Sequence, residues 1–91
     1  MEIKDNKVLE AAGMYTIAYS LKVYKGDTYR TTLPVTQMSC DSVRSMKEIV
    51  TDTYRCSMEQ VHLYHTDGSE IVSGSLESNG IATGDTIRAV F

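Results

Sequence analysis

The chain has 91 residues and a formal net charge of −3, with 42% hydrophobic and 23% charged residues. A chain of this length forms one small domain, which buries roughly two thirds of its unfolded surface and leaves little room for a deep catalytic cavity. The composition excludes collagen, coiled coils, wholesale disorder and disulfide-rich mini-proteins.

The charged residues are unevenly distributed, but they form no basic cluster. Residues 57–91 carry a net charge of −4, because five acidic side chains are offset by Arg88 alone. Without clustered lysines and arginines, binding to nucleic acid or to an anionic membrane surface lacks its main energetic contribution. We therefore expect no nucleic-acid partner.

The cysteines and the N-terminal residues predict a cytoplasmic protein without membrane insertion. Cys40 and Cys56 are predicted at opposite ends of one helix, about 24 Å apart, which is beyond disulfide reach and indicates free thiols. Residues 1–13 contain acidic side chains and lack the apolar run of a signal peptide. Their weak helical spacing predicts a short helix or a disordered arm, which precedes a domain at 14–91.

The domain begins with two segments in which apolar and polar residues alternate, as in half-buried strands. Segment 15–24 has an inward face and an outward face, the latter including Lys22 and Tyr24. The predicted inward residues are Tyr15, Ile17, Tyr19, Leu21 and Val23 in this segment, and Tyr29, Thr31, Leu33 and Val35 in segment 28–35. Lys25-Gly26-Asp27 predicts the turn between them, and Pro34 predicts an edge strand because proline donates no backbone hydrogen bond.

Residues 41–56 predict one substantial helix. Its apolar stripe consists of Val43, Met46, Ile49, Val50 and Tyr54. Asp41 or Ser42 is the expected N-cap, since a side-chain oxygen there accepts a hydrogen bond from a free backbone N–H. A later start remains open, because Ser45 and Glu48 have the spacing of a capping box.

The rest of the chain predicts three short strands. They occupy 61–65, 70–73 and 85–91, and Asp67-Gly68 predicts a tight turn between the first two. Leu76 and Ile81 anchor the turn-rich stretch that follows. The order β-β-α-β-β-β, with one helix covering one mixed sheet, predicts an α+β fold of the β-grasp type, in which the first and last strands pair in parallel.

The segment from Leu76 to Asp85, followed by Thr-Ile-Arg-Ala-Val-Phe, resembles the end of ubiquitin-like domains. Within that superfamily the chain is most similar to the bacterial YukD/EsaB proteins, on the hairpin at 21–26, the Ser73-Gly74 step and Gly80-Ile81 before Gly84-Asp85. This resemblance implies an accessory or regulatory component of a Gram-positive type VII (WXG-protein) secretion system. It also implies membrane-bound components of that machinery as partners.

Two alternatives remain open. One is a ubiquitin-like domain of eukaryotic type, which docks on a receptor protein. The other is a carrier or modifier whose Gly-Gly tail is missing, since relatives of that kind act through such a tail and this chain ends Ala89-Val90-Phe91.

The residues do not favour catalysis or ligand chemistry. A plant-type ferredoxin cluster needs four cysteine thiolates, whereas the chain has only two cysteines. His62 and His65 are predicted on opposite faces of a strand, so they would not share a metal ion, and a nucleophile–base pairing with Cys40 is equally disfavoured. We therefore expect no enzymatic activity, cofactor, metal or small-molecule substrate.

Surface recognition is the remaining kind of function. Strand phase predicts that Tyr64, Arg88 and Val90 form one outward patch, and aromatic and arginine side chains often anchor interfaces. Ubiquitin's own patch is purely aliphatic, so this patch departs from it. Lys22 and Tyr24 on the first hairpin form a second candidate surface, and the edge at Pro34 forms a third.

Overall fold

A computed structural model of the protein describes residues 14–91, so the arm predicted for residues 1–13 lies outside the described residues. The elements in chain order are β1 (Thr16–Lys25), β2 (Thr28–Met38), α1 (Val43–Tyr54), a 3₁₀ helix (Met58–Gln60), β3 (His62–Tyr64), β4 (Glu70–Ile71) and β5 (Thr86–Val90). Among these residues no helix is both long enough and apolar enough to cross a bilayer.

The strands form one mixed sheet in the order β2-β1-β5-β3-β4. The first and last strands, β1 and β5, lie side by side in parallel, while the other neighbours are antiparallel. The inward side chains of the sheet pack with one side of α1 in a single core. This is the predicted α+β arrangement of β-β-α-β-β-β, and the sequence prediction is confirmed.

The core contains most of the residues that the sequence pattern predicts to point inward, but the prediction for Tyr15 is wrong: it precedes β1 and is 37% exposed. Its buried apolar members are Ile17, Tyr19, Leu21, Val23, Val43, Met46, Val50, Val61, Leu63, Ile71, Leu76, Ile81, Ile87 and Ala89. Leu76 and Ile81 are both buried below the turn-rich stretch before β5, and the Ile81 N–H donates to the Leu76 carbonyl oxygen at 3.0 Å. These two side chains fasten a segment that has almost no regular secondary structure.

A β-bulge in the first hairpin corrects the prediction for Tyr29. Val23 pairs with Thr31 whereas Tyr24 pairs with Tyr29, so Arg30 is an extra residue in β2. An extra residue reverses the alternation of side chains beyond it. Tyr29 therefore lies on the same side of the sheet as Tyr24 and is 51% exposed, where the alternation in the sequence had predicted an inward side chain.

Pro34 lies on the edge strand β2, as predicted, and its position explains why it is tolerated there. It pairs with Ser20, whose N–H points away from β2 and donates to Asp85 in the approach to β5. In an antiparallel ladder, when one residue of a directly opposed pair turns its backbone N–H away from the neighbouring strand, the other residue turns its backbone nitrogen away as well. The Pro34 nitrogen therefore faces the open edge of the sheet. The proline therefore removes no hydrogen bond from the sheet and removes one donor from its open edge, which disfavours pairing with a further strand there.

The ends of α1 lie inside the predicted range 41–56. Ser42 is the N-cap, and its hydroxyl accepts a hydrogen bond from the Ser45 N–H at 3.1 Å, so the later start at Ser45 is wrong. The helix ends at Tyr54, and the C-cap residue Arg55 adopts the left-handed conformation. Cys40 and Cys56 lie just outside the helix and are both free thiols.

A chain of polar contacts joins the hairpin to the start of α1. The buried Tyr19 hydroxyl donates to the Gln37 side-chain oxygen, and the Gln37 amide donates to the Ser45 hydroxyl at 3.0 Å. Burial, together with the nearby Asp41 carboxylate, raises the pKa of Tyr19 well above its ordinary value of 10.0. The folded protein therefore holds Tyr19 in its neutral form.

We expect Tyr19→Phe to lower the free energy of unfolding at neutral pH by about 1 kcal/mol, because Gln37 loses its donor. In the unmodified protein, the contribution of Tyr19 is fully present below pH 10.0 and is lost as the pH rises, since only the unfolded state ionises readily there. The variant should therefore lose less stability between neutral and strongly alkaline pH. Urea unfolding at a series of pH values tests this, and identical pH profiles for the two proteins would contradict it.

Candidate protein-interaction surface

The side of the sheet opposite α1 carries all five side chains that the sequence predicts for partner binding: Lys22, Tyr24, Tyr64, Arg88 and Val90. Leu21 and Val23 on β1, Leu63 on β3, and Ile87 and Ala89 on β5 are buried against the helix. Their neighbours along the strands therefore point to the opposite side. Among these neighbours, together with Tyr29, we give the name outer face to the set of Lys22, Tyr24, Tyr29, Tyr64, Arg88 and Val90.

Strand pairing unites two groups that the sequence analysis treated as separate. In the parallel pairing of β1 with β5, Lys22 lies beside Arg88 and Tyr24 lies beside Val90. In the antiparallel pairing of β5 with β3, Arg88 lies beside Tyr64. The outer face is consequently one continuous surface across the four adjacent strands β2, β1, β5 and β3, with Arg88 near its centre.

Both cations of the outer face lie against aromatic rings. The Arg88 guanidinium carbon is 4.8 Å from the centre of the Tyr64 ring. The Lys22 ammonium is 5.9 Å from the Tyr24 ring and 5.7 Å from the Tyr29 ring. These distances fall within the range in which the negative face of an aromatic ring attracts a cation. Both charged side chains are exposed, so their charges remain accessible to a partner.

Tyr29 is the member of the outer face that the sequence analysis missed. Its ring meets the Tyr24 ring edge-on, with the ring centres 5.8 Å apart. Its hydroxyl lies 2.8 Å from the Thr32 hydroxyl. The alternation at 28–35 contains no break that would have shown the bulge, so the sequence held no signal for this placement.

One polar pair lies on the same side of the sheet, where His62 on β3 is beside Val90 and Glu70 on β4 is beside Tyr64. Nδ1 of His62 lies 2.9 Å from Oε2 of Glu70, and both side chains are well exposed. An exposed pair of this kind adds little to stability. His62 points outward from β3, as its strand phase predicted.

The described part of the chain offers no cluster suited to metal binding. Within residues 14–91, no three histidine, cysteine or acidic side chains are grouped closely enough to hold an ion.

Comparison with known proteins concerns the fold. No protein-family model matches the chain, and no curated protein is similar to it in sequence. Among solved structures, the ubiquitin of Caldiarchaeum subterraneum superposes with a TM-score of 0.70 at 17% identity, over 82% of this chain and 91% of the other. The fold is that of ubiquitin.

Two further ubiquitin-like structures agree with this assignment. The N-terminal ubiquitin-like domain of the 4931431F19Rik protein has a TM-score of 0.67 at 21% identity, over 82% of this chain and 73% of that one. The ubiquitin-like domain of Arabidopsis thaliana protein At2g32350 has a TM-score of 0.67 at 18% identity, over 81% and 74%. At these identities the likeness shows the fold alone.

Proposed function

We propose that this ubiquitin-like domain is a non-enzymatic interaction module that binds a partner protein through its outer face. The observation that carries the proposal is the continuous row formed by Lys22, Arg88 and Tyr64, in which each cation lies against an aromatic ring. Arginine and tyrosine are enriched among the residues that dominate binding energy at interfaces. Stacked side chains also lose less conformational freedom when a partner covers them.

The more specific proposal is a YukD/EsaB-like accessory role in type VII secretion. It rests on the resemblance of the hairpin at 21–26, the Ser73-Gly74 step and the Gly80-Ile81 and Gly84-Asp85 pairs to that group of proteins. The partner would then be a membrane-bound component of the secretion machinery, reached from the cytoplasm. The outer face would supply the contact.

Parallel affinity capture tests both the general proposal, that a partner binds the outer face, and the specific proposal of a role in type VII secretion. The unmodified protein and Arg88→Glu are used as baits in lysate of the native organism, and the retained proteins are compared quantitatively. We expect a protein that the unmodified bait retains and that Arg88→Glu loses. Identification of that protein as a component of the secretion machinery would support the specific role.

Other results would contradict the general proposal, the specific proposal or both. Equal retention of every protein by the two baits would remove the outer face as the docking surface. A partner that is lost with Arg88→Glu but is a receptor unrelated to secretion would favour the ubiquitin-like receptor-docking alternative. A gene neighbourhood lacking small WXG proteins and a membrane ATPase would count against the type VII role.

A further inference from the structure

A groove lies on the helix side of the domain, away from the outer face. The start of α1 forms one wall, and the segment after β4 forms the other, where the Gly74 carbonyl oxygen accepts a hydrogen bond from the Val43 N–H at 2.9 Å. The cavity volume is about 300 Å³, and the lining includes Val43, Arg44, Lys47, Met58, Val72 and Gly74. This volume matches the small end of the range found for binding sites.

The groove exposes an apolar side chain that the fold does not need. Val72 is 65% exposed, the most exposed of the large hydrophobic side chains in residues 14–91. Val72 and Met58 both line the groove, so an apolar group that enters it would be removed from water on contact with them. The groove therefore provides space for one aliphatic side chain.

Two cations border this apolar surface. Arg44 and Lys47 both line the groove, and within the described residues neither has a carboxylate at salt-bridge distance. The first turn of α1 contains no acidic residue, and Arg44 lies in it, where the positive end of the helix dipole disfavours a cation. Placing a positive charge there lowers stability, and the placement becomes favourable when an anionic partner is present.

We propose that this groove binds a short acidic segment of a partner protein, which inserts one aliphatic side chain beside Val72 and Met58 while its carboxylates face Arg44 and Lys47. The groove lies in a region with unpaired positive charge on a chain whose net charge is −3. An acidic segment is therefore attracted to the positive charge of the groove, although the chain as a whole is negative. This attraction favours an acidic partner over a basic one and steers its approach. This surface is distinct from the outer face, so the inference does not depend on the proposed function there.

Titration of the full chain with synthetic peptides tests the inference, and the backbone amide NMR signals of the protein report the binding. The probe is the blocked pentapeptide Asp-Asp-Leu-Asp-Asp, compared with one in which serine replaces leucine and one in which lysine replaces every aspartate. We expect the acidic leucine peptide to shift the signals of Val43, Lys47 and Val72. The serine peptide should bind about tenfold more weakly, and the lysine peptide should cause no shift.

Charge-reversal variants separate binding from folding. Lys47→Glu and Arg44→Glu should each weaken binding of the acidic leucine peptide by about tenfold or more. Arg44→Glu should at the same time leave the thermal midpoint unchanged or raise it, because the new carboxylate favours the helix N-terminus. Lys25→Glu, the same charge change at the distant hairpin turn, should bind the peptide as the unmodified protein does.

Three results would overturn the inference. The first is the absence of shifts at the groove, or shifts confined to the outer face. The second is equal binding of the acidic and the lysine peptides. The third is movement of the groove signals on dilution without peptide, with a change in sedimentation, which would assign the groove to a second copy of the chain. Arg88→Glu should bind the peptide normally, so failure at the outer face and failure at the groove are distinguishable.

Discussion

Leu63→Ala should lower the free energy of unfolding by about 2–5 kcal/mol, because it leaves a cavity in the centre of the core. Leu63 is fully buried on β3, and its backbone lies between those of Ile71 on β4 and Ala89 on β5. The surrounding strands are held by their own hydrogen bonds and relax only partly into the space. Small domains are stable by roughly 5–15 kcal/mol, so the variant would lose a large share of the total.

Urea unfolding, with circular dichroism as the signal, measures this loss. Ile87→Ala, at another fully buried position of the sheet, should show a loss of the same size. Val72→Ala is the control, because the exposed Val72 side chain contributes little to the core and the change should remain within about 0.5 kcal/mol. Similar losses for Leu63→Ala and Val72→Ala would contradict the assignment of Leu63 to the core.

Arg88→Glu should weaken binding of the outer-face partner by about tenfold or more while leaving the thermal midpoint nearly unchanged. The side chain is exposed and stacks on Tyr64, so its loss removes a contact surface and reverses a charge without opening a cavity. The neighbouring Lys22 on β1 can face the new carboxylate, which limits the effect on folding. Isothermal titration with the captured partner and a thermal melt measure the two quantities.

Two further variants separate the effect of the Arg88 charge from that of its planar guanidinium group, and from that of a charge change elsewhere on the domain. Arg88→Lys keeps the charge but removes the planar group that stacks on Tyr64, so an intermediate loss of affinity is expected. Arg44→Glu makes the same charge change on the helix side and should leave binding of the outer-face partner unchanged. Unaltered affinity in Arg88→Glu would remove the outer face from the interaction, and a large fall in its thermal midpoint would show a structural role instead.

A cationic and aromatic outer face distinguishes this domain from ubiquitin, whose patch is aliphatic. A receptor pocket that accepts aliphatic side chains would have to bury Arg88 and Lys22, which costs free energy without anionic partners. Receptors of ubiquitin are therefore expected to bind this domain poorly. The same chemistry favours partners that present acidic groups to Arg88.

Local pattern was sufficient for the five strands and for α1, but it did not predict the 3₁₀ helix (Met58–Gln60). The alternation at 15–24 identifies the buried side chains of β1 and fails only at Tyr15, which is 37% exposed. The helical spacing of Val43, Met46 and Val50 and the paired anchors Leu76 and Ile81 likewise identify side chains that leave water. Periods of 2 and 3.6 residues relate a chain position directly to a face, so the β-grasp order follows from local chemistry. The outward directions of Tyr64, Arg88 and Val90 follow from the same alternation.

Only the tertiary structure decided how these faces combine. The bulge at Arg30 moved Tyr29 to the outer face, and the parallel pairing of β1 with β5 set Lys22 beside Arg88, across more than sixty residues of chain. The groove between α1 and the segment after β4 likewise joins distant residues. Register and contact between remote segments depend on the packing of the whole core, whereas periodicity reports only each segment's own preference for a face.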